Sequence, residues 1–171
     1  MSGEPATDAT PKRMHTYRST IRWTGDRGSG TSGYRDYDRL YDVLVDGKAA
    51  IAGSSDPMFR GDPTRHNPED LLVASISACH MLWYLHLCAD AGVIVVEYVD
   101  DCDGSLAENA DGSGRFTVIT LRPRVTISAA SDPDRAVALH ATANRMCPLA
   151  ASMAFPVHHE PTIFVGLEDD G

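Results

Sequence analysis

Hydrophobic positions along the chain change period twice, and the changes mark its elements. Residues 15–23 mix aromatic and β-branched side chains with polar ones and predict a first strand. The glycine-rich stretch 25–33 (GDRGSGTSG) reads as a hairpin loop, after which residues 34–45 alternate well enough for a second strand. Asp46-Gly47 is a two-residue hairpin signal, so residues 48–52 return as a third strand. Residues 53–66, with two prolines, form a loop. The pattern then turns helical. Asn67 is placed to cap, Pro68 suits the first helical position, and Glu69 and Asp70 complement the helix dipole. The helix runs to about residue 91, where Gly92 stops it. Its middle turns are apolar almost all round, through Leu71, Leu72, Val73, Ile76, Met81, Leu82, Trp83, Leu85 and Leu87. Such a helix needs cover on several sides. A chain this short does not supply it alone, which points to a second subunit.

Beyond Gly92, residues 93–98 and 116–127 read as strands around a Gly- and Asn-rich turn at 108–114. Ser131-Asp132-Pro133-Asp134 caps a second helix that continues to Arg145. Cys147-Pro148 restarts a short helix, and residues 162–165 close the chain's pattern with a strand. Strands, helix, strands, helix, strand is an α+β layout. Residues 15–167 form the expected folded domain, between a flexible N-terminal tail at 1–14 and an acidic C-terminal tail at 168–171.

Composition narrows the function classes. In 171 residues, 15 Lys and Arg stand against 24 Asp and Glu, a net charge of −9. That balance argues against nucleic-acid and anionic-membrane partners, both of which need a basic field. The apolar run 71–89 is interrupted by Ser75, Ser77, His80 and His86 and bracketed by Asp70 and Asp90, which favours a buried helix over a membrane span. The first 13 residues lack the apolar core of a signal peptide, so the expected compartment is the cytoplasm. There, four cysteines read as thiols, ligands or redox groups rather than a structural disulfide framework.

No CxxC pair, GxSxG elbow or GK[ST] phosphate loop occurs. The histidines offer no clear metal site, because His80 and His86 are off the i, i+4 spacing and His158-His159 would point to opposite faces of a strand. Taken alone, Cys79 reads as a small buried residue, about three turns into its helix and beyond the reach of the dipole. Cys147 is different. Pro148 at a first helical position makes it a cap, where backbone N–H groups would stabilise a thiolate. Cys88 and Cys102 have no such context and read as structural.

One group of residues carries a resemblance. Asn67-Pro68-Glu69-Asp70-Leu71-Leu72 followed by Ser77-Ala78-Cys79 resembles the NPE…SAC signature of the OsmC/Ohr family of thiol peroxidases. Trp23-Thr24-Gly25-Asp26, Arg27-Gly28-Ser29-Gly30-Thr31 and the late Cys147-Pro148 extend the match over roughly residues 15–165. His80 departs from it, standing where family members usually carry an apolar residue. The resemblance implies an OsmC-like fold, with antiparallel sheets wrapped around a long central helix in an intertwined homodimer. It makes Cys79 the peroxidatic cysteine and Cys147 the resolving one. Glu69 and an arginine, Arg27 or alternatively Arg39, would orient and activate the thiolate. The implied substrate is an organic hydroperoxide, in keeping with the apolar Met81, Leu82 and Trp83. An external dithiol, for which the family suggests dihydrolipoyl groups on a lipoylated protein, would reset the disulfide, and no cofactor or metal is needed. A thiol redox sensor and an apolar-ligand binding module on the same fold are the alternatives.

Glu69 and Cys79 lie ten residues apart in one helix, roughly 15 Å at 1.5 Å per residue. No glycine or proline interrupts residues 71–87. Glu69 is therefore expected to serve the Cys79 of the other subunit.

Overall fold

The computed structural model describes residues 13–166. Apart from residues 13 and 14, both expected tails lie outside the described residues. The chain divides into two compact units, Met1–Asn67 and Pro68–Gly171.

In the first unit, β1 (Thr20–Trp23), β2 (Tyr41–Leu44) and β3 (Ile51–Gly53) form an antiparallel sheet in sequence order. Trp23 pairs with Tyr41, and Val43 with Ile51 across the Asp46-Gly47 turn, where Gly47 takes φ 72°. The second strand is shorter than the alternation suggests. Residues 34–40 are instead folded locally: Arg39 donates to the carbonyls of Tyr37 (2.7 Å) and Tyr34 (2.8 Å) and lies over both tyrosine rings. The glycine-rich loop is organised by Asp26, whose carboxylate accepts from the N–H groups of Gly28 (2.8 Å) and Gly30 (2.9 Å). Both glycines have positive φ, which other residues rarely adopt. Those amides serve the protein's own carboxylate, as a hairpin loop requires.

The second unit opens with α1, Pro68–Ala91, an unbroken helix with the expected bounds. Gly92, at φ 73°, ends it: Val93 N–H bonds to Cys88 O (2.9 Å) and Gly92 N–H to Ala89 O (3.3 Å), the left-handed termination that glycine permits. α2 (Pro133–Met146) starts on Asp132, whose carboxylate accepts from the N–H groups of Asp134 and Arg135. α3 is the single turn Pro148–Ala151. The strands are β4 (Val95–Asp100), β5 (Asp103–Glu108), β6 (Gly114–Leu121), β7 (Pro123–Ile127), β8 (Val157–His159) and β9 (Thr162–Val165). They make two three-stranded sheets, β4-β7-β9 and β5-β6-β8. Each joins an antiparallel pair to a parallel one, so only the first unit's sheet is wholly antiparallel.

The strand expected over 116–127 is two strands. Pro123 has no N–H to give a ladder, and Arg122 N–H turns aside to Asp100 Oδ1 (2.6 Å), so the chain leaves one sheet and enters the other. Asp100 also accepts from the Ser77 hydroxyl (2.5 Å), tying this corner to α1.

α1 buries one face here, through Ile76, His80, Tyr84 and Cys88 at intervals of four. Ile76 packs with Ile119 and Leu121 of β6. Tyr84 and Cys88 pack with Val125 and Ile127 of β7 and with Ala136 and Ala143 of α2. His80 falls between the two apolar clusters. Leu82, by contrast, is 63% exposed, leaving the helix with apolar surface outside the core of its own chain.

Candidate functional site

The two cysteines meet. Cys79 projects from α1 and Cys147 stands at the junction of α2 and α3, with their Sγ atoms 2.8 Å apart and both thiols free. Two features place Cys147. It closes α2 through its N–H to Ala143 O (2.9 Å), and as cap of α3 its Sγ accepts from Ala150 N–H at 3.4 Å. The helix-cap position is the one expected, but its electrostatic consequence is reversed. Cys147 is fully buried. Burial first, and then the Cys79 sulfur beside it, push its thiol up to about 11, outweighing the backbone N–H groups of Ala150 and Leu149. It is a protonated thiol at neutral pH. Cys79 is only half-buried.

The other two cysteines stay apart from this pair. Cys88 is in the core beside Tyr84, and burial raises its pKa. Cys102 is half-buried against the Ile76 cluster, and burial raises it too. Both fit the structural reading.

Glu69 is half-buried in the first turn of the same continuous helix as Cys79. Ten residues of unbroken helix hold their Cα atoms about 15 Å apart. Within one chain, then, they do not share a site. Arg27 and Arg39 both lie in the first unit. Arg27 donates to the carbonyls of Asp36 (3.3 Å) and Arg35 and faces Asp38 at 3.8 Å, with half its side chain exposed. Arg39 is pinned more tightly, between two carbonyls and two tyrosine faces.

Sequence reasoning missed a histidine cluster. His80 Nε2 lies 3.0 Å from His140 Nδ1, one nitrogen donating to the other, and both rings are wholly buried. His159 sits 5.8 Å from His80 between ring centroids, and Tyr84 stacks on His140 at 3.8 Å. Positions 80, 140 and 159 share no spacing that a linear reading would join; only the parallel placement of β8 beside β6 brings the third in. Within the pair 158–159, His158 faces out and His159 in, as strand geometry requires. His86 is elsewhere, 3.5 Å from Asp90 on the exposed side of α1. Among the described residues, no group of three or more His, Cys, Asp and Glu could hold a metal ion.

Burial lowers His80 to about 4 and His140 to about 3, with neighbouring imidazoles adding repulsion. The folded protein keeps them neutral, while in the unfolded chain they titrate near 6.5. Their contribution to stability is complete above that value and is lost as pH falls through the folded pKa values. The urea midpoint is expected to drop between about pH 7 and about pH 4.5, and to drop less in a His80→Leu/His140→Leu variant.

A family model described as OsmC-like protein matches residues 61–162. No curated protein sequence matches the chain. Among solved structures, an OsmC-like protein of unknown function from Vibrio cholerae is 27% identical, covering 87% of this chain and 100% of its own, with a TM-score of 0.79. An organic hydroperoxide resistance protein from Elizabethkingia anophelis superposes at 0.66, with 16% identity over 91% of this chain and 100% of that one. The organic hydroperoxide resistance protein OhrB of Bacillus subtilis superposes at 0.61, with 20% identity over 86% of this chain and 98% of that one. At such identities the last two show a shared fold.

Proposed function

The chain belongs to the OsmC-like protein family, and from that premise we propose that it is a two-cysteine peroxidase acting on organic hydroperoxides. The observation that carries this reading is the pair Cys79–Cys147, 2.8 Å apart, with one residue half-buried and the other buried. The neighbours named for organic hydroperoxide resistance support the choice of substrate class.

In this mechanism the Cys79 thiolate attacks the terminal oxygen of ROOH. The O–O bond breaks, ROH leaves after taking up a proton, and Cys79 becomes a sulfenic acid. Cys147 cannot compete in that first step, because its buried thiol stays protonated at neutral pH. Once the sulfenic acid has formed, Cys147 gives up its proton and attacks the Cys79 sulfur, releasing water and closing the disulfide. An external dithiol then restores both thiols by exchange. Leu82 and Trp83, one turn along α1 from Cys79, offer apolar surface that suits an organic R group.

An arginine activates the thiolate by favouring the anion and polarising the peroxide, held by Glu69 through a bidentate pair. Arg27 is the first candidate, because it stands in the Arg27-Gly28-Ser29-Gly30-Thr31 stretch that resembles the family's, and Arg39 is the alternative. Arg27→Ala is expected to slow alkylation of Cys79 by iodoacetamide at neutral pH by about tenfold, and Arg39→Ala by less. Rates measured against pH for both variants check this, and a larger effect at Arg39 would reverse the assignment.

The experiment for the function is turnover. Cumene hydroperoxide supplied in excess with dihydrolipoamide should be consumed over many cycles per protein. One equivalent consumed and no more, under conditions where the dithiol reduces the protein, would mark a sensor; no consumption would leave a binding protein.

A further inference from the structure

We propose that His80 and His140 are positioning residues, a neutral imidazole pair that fixes α2 on α1 so that Cys147 stands against Cys79. The inference rests on the proposed pairing of those cysteines and assigns the pairing's geometry to a second contact.

The two contacts lie between the same two helices. Cys79 and His80 are consecutive on α1; His140 and Cys147 are two turns apart along α2 and its C-cap. Sulfur meets sulfur at 2.8 Å and imidazole meets imidazole at 3.0 Å. α1 carries both of its contact points on consecutive residues, and α2 runs unbroken from His140 to Met146 with Cys147 held as its C-cap by the N–H bond to Ala143 O, so the position of one contact fixes that of the other. Tyr84, one turn beyond His80, stacks on the face of His140 with its ring only 15° from parallel and adds a second contact from α1 to the same ring. A slip of one residue along a helix shifts a side chain by about 1.5 Å along the axis and turns it by about 100° to another face, and a disulfide tolerates Cα separations only between about 4.4 and 6.8 Å.

Packing alone does not explain these histidines. They lie between two apolar clusters, where leucine-sized side chains would bury as much surface with no polar group to satisfy. Besides the nitrogens they share, His80 Nδ1 and His140 Nε2 have no hydrogen-bond partner among the described residues. A buried polar contact kept at that cost specifies register, because it can form in only one alignment of the helices. An apolar interface tolerates several.

The step affected is the second. The sulfenic acid partitions between two balanced reactions: Cys79–SOH with Cys147–SH gives the disulfide and water, and Cys79–SOH with a second ROOH gives the sulfinic acid and ROH. Misplacing Cys147 slows the first of these and diverts Cys79 to overoxidation, while the initial attack on peroxide, in which Cys147 takes no part, changes far less.

The test uses His80→Leu, His140→Leu, the double Leu variant, and the conservative changes His80→Gln and His140→Asn, which keep a polar atom near the bonding nitrogen. Folding of each is checked by circular dichroism and thermal unfolding. Two readouts are taken on the full chain. The first equilibrates the thiols with oxidised and reduced dithiothreitol, where Cys79–SH and Cys147–SH become the disulfide as oxidised dithiothreitol becomes the dithiol. The second measures the ratio of disulfide to Cys79 sulfinic acid after excess cumene hydroperoxide. The Leu variants should lower the equilibrium constant by about tenfold or more, with the double variant no worse than either single one. The Gln and Asn variants should recover most of that loss, and the sulfinic fraction should rise in parallel. Folded Leu variants with the parent constant, or losses that simply add in the double variant, would overturn the proposal. So would a parent protein that forms no Cys79–Cys147 disulfide with oxidised dithiothreitol. Should exchange behave as expected while peroxide leaves Cys79 untouched, the positioning role stands and the peroxidase reading fails.

Discussion

Cys79→Ser is expected to reduce hydroperoxide consumption to the uncatalysed background, whereas Cys147→Ser should complete one round and stop. The difference follows from what each sulfur can do. A serine hydroxyl stays un-ionised at neutral pH and cannot replace a thiolate attacking an O–O bond. Cys147 cannot stand in, since it is buried and burial pushes its thiol up to about 11. With Cys147 removed, Cys79 still reaches the sulfenic acid but has no partner 2.8 Å away, so it accumulates as sulfenic and then sulfinic acid. Stopped-flow consumption and peptide mass spectrometry distinguish the two variants. Cys88→Ala and Cys102→Ala, whose thiols sit in packed clusters, should turn over near the parent rate. Loss of the first, fast consumption step in Cys147→Ser alone would reverse the two roles.

Glu69→Ala should be inactive by itself yet be rescued by another inactive protein. α1 is continuous from Pro68 to Ala91, so Glu69 and Cys79 of one chain remain about 15 Å apart. Neither side chain spans that gap, even through a shared arginine. An active site using both residues must draw them from two subunits, and Leu82, 63% exposed on a helix of this apolarity, marks a surface suited to a second copy. Mixing Glu69→Ala with Cys79→Ser and allowing subunits to exchange gives one intact site in each heterodimer. With half the dimers mixed and one of two sites restored in each, activity should recover to about a quarter of the parent level. If exchange is demonstrated and nothing returns, Glu69 acts within its own chain or outside the site.

Both expectations start from residues that a linear reading already singles out, and the limits of that reading have physical causes. The bounds of α1 were legible because Pro68, the two acids after it and Gly92 are local signals acting through the backbone they belong to. β5 was not: Asp103–Glu108 (DGSLAE) is exposed throughout, so no buried face imposes an alternating pattern on it. The division of residues 116–127 was written in Pro123, but its meaning depends on Asp100, which takes the Arg122 N–H from a distant strand. At the candidate site, Cys147-Pro148 correctly announced a helix cap, yet the direction of its pKa depends on burial that only the packed helices create. His80 was visible as a departure from the family pattern. Its partner His140 was not, because a contact between positions 60 residues apart has no local signature.

Cys79 and Cys147 are expected to act as one redox unit. One equivalent of cumene hydroperoxide is added to the reduced protein and its thiols are mapped by mass spectrometry. The expected result is loss of two hydrogens, with a single new peptide linking Cys79 to Cys147 and with Cys88 and Cys102 still free. Consumption of the peroxide with Cys79 and Cys147 unlinked, or a disulfide that joins either of them to Cys88 or Cys102, would contradict it.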